Sequence, residues 1–352
     1  VSQTSRHRQA GPIHGIWCLF AVAAALLLGI SATAQDGKKE KLVEDKTLQS
    51  PADGWPLKLT YYKSTEGKET AVVVLLHMKN ESRLVWTAPN GFAKTLQDQG
   101  FAVIAVDLRK HGQSKPDATE EEPKKSSADK DKSTKKSSSS ELRAADYQAM
   151  VVDLEAVKKF IFEEHQEKHL NMRKTAIIAP TMSAAISVVF TANDWAKKPW
   201  DDASTPAART PKGQDVQALV LLSPETNVAG VAAHQVAPAL KNTPLATLVL
   251  VGKTDPEKDQ AKKLFTLLGG DASKIAPAKK TEPKKGKDKD ADSSKEDKQR
   301  YYIELNTKLR GTELLGKKLG VEDAIVGFLT DHVKNLKGVA YDWRDRESQA
   351  TK

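Results

Sequence analysis

Two histidines near the middle of the chain have the spacing of a possible metal site. His165 and His169 are four residues apart on a predicted helix, and Glu164 and Glu167 lie beside them. Imidazoles at this spacing share a helix face, but the zinc-protease motif places its glutamate directly after the first histidine. This chain has Gln166 there. The pattern therefore predicts a solvated helix end, with neither a metal nor a cofactor.

Three further candidates follow short apolar runs of the chain: His77, Thr181 and Asp255. Asp255 precedes Pro256, a pair typical of a helix start. Thr181 precedes an apolar helical stretch, where a hydroxyl suits the N-cap position. Helix capping is thus one interpretation of both residues. The other depends on which strands carry them, because ligands of open α/β sheets bind at the carboxyl ends of the strands.

The apolar runs alternate with turns and helical stretches along most of the chain. Nearly continuous apolar strands indicate a sheet that is covered on both faces, and intervening helices indicate parallel pairing. Residues 144–169 and 321–336 carry apolar side chains at three- and four-residue steps, as sheet-facing helices do. The sequence predicts an α/β fold, a doubly wound and mostly parallel sheet with helices on both faces, and strands at 57–62, 71–76, 102–106, 175–178, 218–222, 247–251 and 301–305.

The order of these features resembles the α/β-hydrolase superfamily. The stretch GFAVIAVDLRKHGQS at 100–114 is similar to that family's fourth strand and the turn after it, a turn expected to be structural, His111 included. VVVLLHM at 72–78 resembles the third strand and oxyanion loop, and IIAPTMSAAIS at 177–187 resembles the strand, turn and helix that carry the nucleophile. LVLVGKTDP at 248–256 resembles the strand that carries the acid.

The resemblance places Thr181 where the family has a nucleophilic serine in the pattern GxSxG. Ala179 and Ser183 replace the two glycines. The family holds its nucleophile at positive φ, which β-branched residues rarely adopt. The expectation is that no working nucleophile turn forms, that Thr181 caps the helix instead, and that Ser183 already lies on that helix.

The remaining family positions are also altered. His77 is followed by Met78 instead of the usual glycine, which favours a structural role for this histidine. Asp255 stands where the family's acid does, so it would orient a histidine. The loop at 306–312 holds no histidine, and its Lys308 and Arg310 are too basic to accept a proton.

Two functional hypotheses follow. The first is a pseudoenzyme of this fold that binds an unknown small molecule or protein. The alternative is an active hydrolase of esters or amides with an atypical catalytic set of Thr181, His77 and Asp255. The net charge of +9 does not indicate nucleic-acid binding, because many of the lysines are interleaved with acidic residues.

The N-terminus has the pattern of a secretory signal peptide. Basic Arg6 and Arg8 precede an apolar run at 16–30 and an Ala32-Thr33-Ala34 site. We expect residues 1–34, which hold the only cysteine, to be removed from an exported periplasmic or secreted protein. An uncleaved membrane anchor is the alternative.

Two tracts interrupt the remaining domain, residues 35–352. Residues 115–140 and 278–300 consist almost wholly of charged and small polar residues with alanine and proline. Such segments bury too little apolar surface to offset the entropy of ordering them. Both are therefore predicted to be disordered insertions.

Overall fold

A mixed sheet forms the centre of the molecule. The computed structural model describes residues 41–116, 141–274, 276–277 and 299–348. Within these residues, the main sheet has nine strands, which are β1 Val43–Gln49, β2 Pro56–Tyr62, β3 Val72–Leu75, β4 Ala102–Val106, β5 Thr175–Pro180, β6 Val216–Leu222, β9 Ala246–Gly252, β10 Ala276–Pro277 and β11 Arg300–Leu305. Their order across the sheet is β1-β2-β4-β3-β5-β6-β9-β11-β10, antiparallel at β1-β2-β4 and parallel from β4 onward. A small hairpin joins β7 Asn227–Val228 to β8 Val231–Ala232.

Helices cover both faces of this sheet. They are α1 Leu84–Thr87, α2 Phe92–Asp98, α3 Ala144–Gln166, α4 Met182–Ala196, α5 Ala233–Val236, α6 Lys258–Leu267 and α7 Val321–Leu329, which continues as a π-helix over Thr330–Lys334. Alternate strand residues belong to two separate cores, with α3, α4, α5 and α6 on one face and α1, α2 and α7 on the other. The predicted fold class, a mostly parallel sheet with helices on both faces, is confirmed.

The sequence-based boundaries differ from the structure at a few points. The edge strand β1 was not predicted, because its alternating half-exposed and exposed residues lack an apolar run. Arg300 was assigned to the second disordered tract, yet it begins β11, pairs with Thr247 and donates hydrogen bonds to carbonyl groups that include those of Leu268 and Lys241. Most of the two predicted tracts, 115–140 and 278–300, lies outside the described residues. The whole predicted signal peptide, residues 1–34, also lies outside them.

The prediction for His165 was wrong. Its side chain is fully buried, and its Nε2 lies 2.8 Å from the carbonyl oxygen of Arg344. The C-terminal segment 341–348 packs over this helix end, and the Trp343 indole donates to the His165 carbonyl. Residues 341–348 have no periodic apolar pattern, so the sequence does not predict that this segment covers His165. Among the described residues, no helix has both the length and the apolar character needed to cross a lipid bilayer.

Candidate functional site

Thr181 occupies a sharp turn between β5 and α4. Its backbone has φ 42° and ψ −113°, so the strained turn forms with a β-branched residue in it. The expectation that this turn does not work as a nucleophile turn stays a prediction. The capping role was wrong, because the Thr181 side chain makes no cap hydrogen bond. Hydrogen bonds from the Thr181 N–H to the Leu222 carbonyl and from the Glu225 N–H to the Thr181 carbonyl hold the backbone in place. Strain of this kind costs about 1–3 kcal/mol and persists only where the surroundings impose it.

Ser183 lies on α4, as expected. Its hydroxyl is fully buried and donates to the Pro180 carbonyl at 2.7 Å. The hydroxyl of Ser183 is therefore engaged inside the protein and cannot attack a bound molecule.

Asp255 follows β9 and pairs with Arg310 from the loop after β11. The Arg310 Nε lies 3.1 Å from one carboxylate oxygen of Asp255 and 3.2 Å from the other. The Glu257 N–H also donates to Asp255, at 2.9 Å, so the carboxylate helps to start α6 as the sequence suggested. The acid position thus holds a guanidinium partner in the loop where the family has its histidine. Sequence reasoning noted Arg310 in that loop but did not pair it with Asp255.

Two glycines let this loop come close to the neighbouring strand ends. A Cβ on Gly252 would lie 2.7 Å from the Thr307 carbonyl oxygen and 2.8 Å from that of Leu309. Gly311, at φ 50°, lies against the other side of the site, since a Cβ there would be 2.3 Å from the Met78 sulfur and 3.1 Å from the Thr181 methyl group. The loop therefore runs directly beside the Thr181 side chain.

His77 is not placed to act on Thr181. Its Nε2 accepts the Leu108 N–H at 3.0 Å, so its Nδ1 is the protonated nitrogen and donates to the Met78 carbonyl at 2.8 Å. Both ring nitrogens are thus occupied by backbone groups. Burial lowers the pKa of His77 to about 4, which keeps the ring neutral. His111, whose ring centre is 4.9 Å away, likewise bonds to a backbone carbonyl, that of Arg109.

Glu81, which sequence reasoning missed, occupies the loop after β3. One carboxylate oxygen accepts the Met78 N–H at 3.1 Å, and the other accepts the Thr312 hydroxyl at 2.8 Å. The resemblance assigns an oxyanion-stabilising N–H to this loop. Here the Met78 N–H already has an internal carboxylate as its acceptor.

Residues after β6 complete the surroundings of Thr181 and were also missed. Ser223 has φ 48° and is fully buried, and its hydroxyl has no hydrogen-bond partner in the described part of the chain. Glu225 is half-buried, and burial raises the pKa of its carboxyl group, with Arg310, Glu257, Lys79 and Asp255 acting on it electrostatically. A positive φ at a second serine or threonine has no sequence signature, which is why Ser223 was overlooked.

A cavity of about 520 Å³ lies next to this cluster. Glu81, Leu309 and Thr312 contribute to its wall, together with Val85 and Phe92 from the α1 and α2 region. Thr181, Asp255 and Arg310 do not line it. The cavity is therefore a neighbour of the candidate site and not part of it.

Comparisons with known proteins bear on the fold. No protein-family model matches the sequence, and no curated protein does. An esterase from Pyrococcus furiosus is similar in structure over 83% of this chain and 91% of its own, with a TM-score of 0.51 and 12% identity. A dienelactone hydrolase from Anabaena variabilis covers 83% of this chain and 97% of its own, with a TM-score of 0.47 and 14% identity. The first of these, together with the strand order and the turn at Thr181, establishes that the described residues adopt the α/β-hydrolase fold.

Proposed function

We propose that this protein is a non-hydrolytic member of the α/β-hydrolase fold, exported through residues 1–34, which binds a ligand or partner at the carboxyl edge of its sheet. The observation that carries the proposal is the pair of Asp255 and Arg310. In a triad the acid orients an imidazole, which takes the proton of the nucleophile. A guanidinium remains charged throughout the physiological range and cannot accept that proton.

The other possible base is also engaged. His77 is a neutral imidazole, but both of its nitrogens bond to backbone groups and its ring is fully buried. Attack by the Thr181 hydroxyl thus lacks a general base. Loss of both nucleophile and base activation costs a triad enzyme most of its rate and leaves only the binding and oxyanion contributions.

An active esterase or amidase is a second candidate, and the backbone of Thr181 favours it. A β-branched residue at φ 42° is unfavourable, and such strain is concentrated at functional sites. The solved structure of similar fold from Pyrococcus furiosus is an esterase. In this candidate Thr181 is the nucleophile and a carboxylate such as Glu225 replaces the imidazole.

Fluorophosphonate labelling and hydrolysis of para-nitrophenyl acetate distinguish the two candidates. We expect the purified full chain neither to label nor to hydrolyse the ester above the buffer rate. Labelling that Thr181→Val abolishes would overturn the proposal in favour of the hydrolase. As a matched test of the missing base, Thr181→Ser alone should stay inactive, whereas Ala179→Gly, Thr181→Ser, Ser183→Gly and Arg310→His together should gain measurable esterase activity.

A further inference from the structure

We propose that the ligand of this edge is a small organic acid, whose carboxylate binds between the Arg310 guanidinium and the Thr181 hydroxyl. The inference rests on the proposed function and names the chemistry of its ligand. It depends on hydrogen-bond donors in the site that lack acceptors.

Arg310 has an unpartnered donor. Its Nε is the atom that contacts Asp255, and its Nη2 has no hydrogen-bond partner in the described part of the chain. Nη2 is also almost wholly shielded from solvent. A shielded cationic N–H without an acceptor is unfavourable, and the Nη edge of a guanidinium matches the two oxygens of a carboxylate. The side chain as a whole is 32% exposed, so an anion can approach it from solvent.

Thr181 supplies the neighbouring donor. Its side chain makes no cap hydrogen bond to α4, and the residue is only 6% exposed. The loop that carries Arg310 lies against the Thr181 methyl group through Gly311. The strained backbone thus holds a short, branched hydroxyl beside the arginine loop, where it can donate to a bound oxygen atom.

Charged groups of both signs lie around Arg310 and act on the Glu225 carboxyl group. Asp255 compensates one positive charge, and Lys79 adds a second positive charge that acts on the same Glu225 carboxyl. Glu225 and Glu257 oppose an anion, and burial raises the pKa of Glu225. A monovalent carboxylate fits this balance better than a divalent phosphate, whose second charge would meet these carboxylates at close range.

Fluorine NMR titration of the full chain tests the proposal. The probes are trifluorobutyrate and para-fluorobenzoate, and their uncharged counterparts are trifluorobutyramide and para-fluorobenzamide. We expect saturable binding of at least one acid and at least tenfold weaker binding of its amide. Equal binding of acid and amide, or no saturable binding of either acid, overturns the assignment. Stronger competition by inorganic phosphate than by unlabelled butyrate also overturns the choice of a carboxylate.

Three variants test whether the acid binds at Thr181 and Arg310. Thr181→Val keeps the shape and removes the hydroxyl, so the affinity should fall about fivefold. Arg310→Gln combined with Asp255→Asn removes both charges together and avoids a lone buried carboxylate, and the affinity should fall by at least about tenfold. Arg209→Gln is the control, because Arg209 has the same 32% side-chain exposure and pairs with an exposed Asp201.

Thermal melts monitored by circular dichroism establish that each variant is folded before its binding is compared. An equal loss in the Arg209 variant would mean that the acids bind through general surface charge, and the proposal would be wrong. Ester hydrolysis or labelling refutes the proposed function whatever the titration shows. If the protein neither hydrolyses the ester nor labels, and also does not bind these acids, only the present inference is refuted.

Discussion

Buried aspartates pair with arginines at both ends of the parallel strands, here called the amino edge and the carboxyl edge of the sheet. The two arginines differ in how many of their N–H groups have an acceptor in the protein. At the amino edge, just before β6, Asp215 receives both Nη groups of Arg346 and also Lys158 at 2.8 Å. Lys158 in turn pairs with Asp194. At the carboxyl edge, Asp255 receives only the Nε of Arg310, whose Nη2 has no acceptor among the described residues.

The difference separates a structural network from a candidate binding site. Arg346 also leaves one nitrogen unpartnered, but this is its Nε, which has a single N–H, and the arginine is only 5% exposed. Its bidentate edge is filled by the protein itself. Arg310 leaves Nη2 without an acceptor among the described residues, and its side chain is 32% exposed. Saturation by the protein's own groups favours a structural role, and the unpartnered Nη2 of Arg310 is the observation on which the proposed carboxylate site depends.

Removal of Asp215 should have the largest effect on stability. Asp215→Ala leaves Arg346 as a buried charge without its carboxylate, so we expect the free energy of unfolding to fall by about 3–5 kcal/mol. Urea unfolding measures the loss. The control Asp201→Ala breaks an exposed pair and should cost less than about 1 kcal/mol. Equal losses in the two variants would refute a structural role for the amino edge.

Acid should affect the two edges in different pH windows. The pKa of His77 is lowered to about 4 from 6.5, so the unfolded chain binds the extra proton between these values. Folding should therefore lose on the order of 3 kcal/mol as the pH falls from about 6.5 to about 4.

His77 and Asp215 titrate in different pH windows, and a variant of His77 tests the first of these windows. His77→Gln should flatten the stability profile above about pH 4. Burial favours protonation of Asp215, but Arg346 and Lys158 hold its pKa below the ordinary 3.8, so its contribution is present above that value and is lost as the pH falls below it. An unchanged profile in His77→Gln would contradict the account of the neutral histidine.

Loss of the cation at the carboxyl edge should be less costly than loss of Asp215. Arg310→Gln leaves the Asp255 carboxylate with its backbone donor, so the free energy of unfolding should fall by about 1–3 kcal/mol. Adding Asp255→Asn should recover part of this loss, because no buried charge then remains. If the double variant is no more stable than Arg310→Gln, the two side chains are not coupled.

The smallest expected effect concerns the strained turn. Thr181→Ser and Thr191→Ser each remove one buried methyl group, but only Thr181 has a positive φ. We expect Thr181→Ser to be more stable than Thr191→Ser by about 1 kcal/mol, because serine lacks the second γ-substituent that crowds this backbone. Equal melting temperatures would mean that the turn stores no strain specific to threonine.

The strands that carry the candidate site were predictable because they are buried on both faces. β4 was placed at its observed bounds, and β5, β6, β9 and β11 within two residues at each end. Apolar side chains on both faces leave a continuous signal that a short sequence window can detect. The position of Asp255 after β9 follows from the same signal. Edge strand β1 lacks it, since only part of each residue is covered.

The contacts inside the site could not be predicted in the same way. Arg310 and Asp255 are 55 residues apart, and Glu81 and Thr312 are 231 residues apart. Such pairs form only after strand order brings the loops together. Local composition carries no information about them, so Glu81 and Ser223 were not singled out.

The sequence by itself determined the parallel α/β sheet, the absence of a histidine from the loop after β11, and the threonine at the nucleophile position. Only the tertiary structure decided that Thr181 adopts the strained turn, that His77 is neutral and fully bonded, and that Arg310 faces Asp255. Periodicity is a local property of burial, which each segment carries alone. Backbone strain and side-chain pairing are imposed by neighbours that are distant in the chain. The Thr181 N–H donates to Leu222 at the end of β6, and the Thr181 carbonyl accepts the Glu225 N–H.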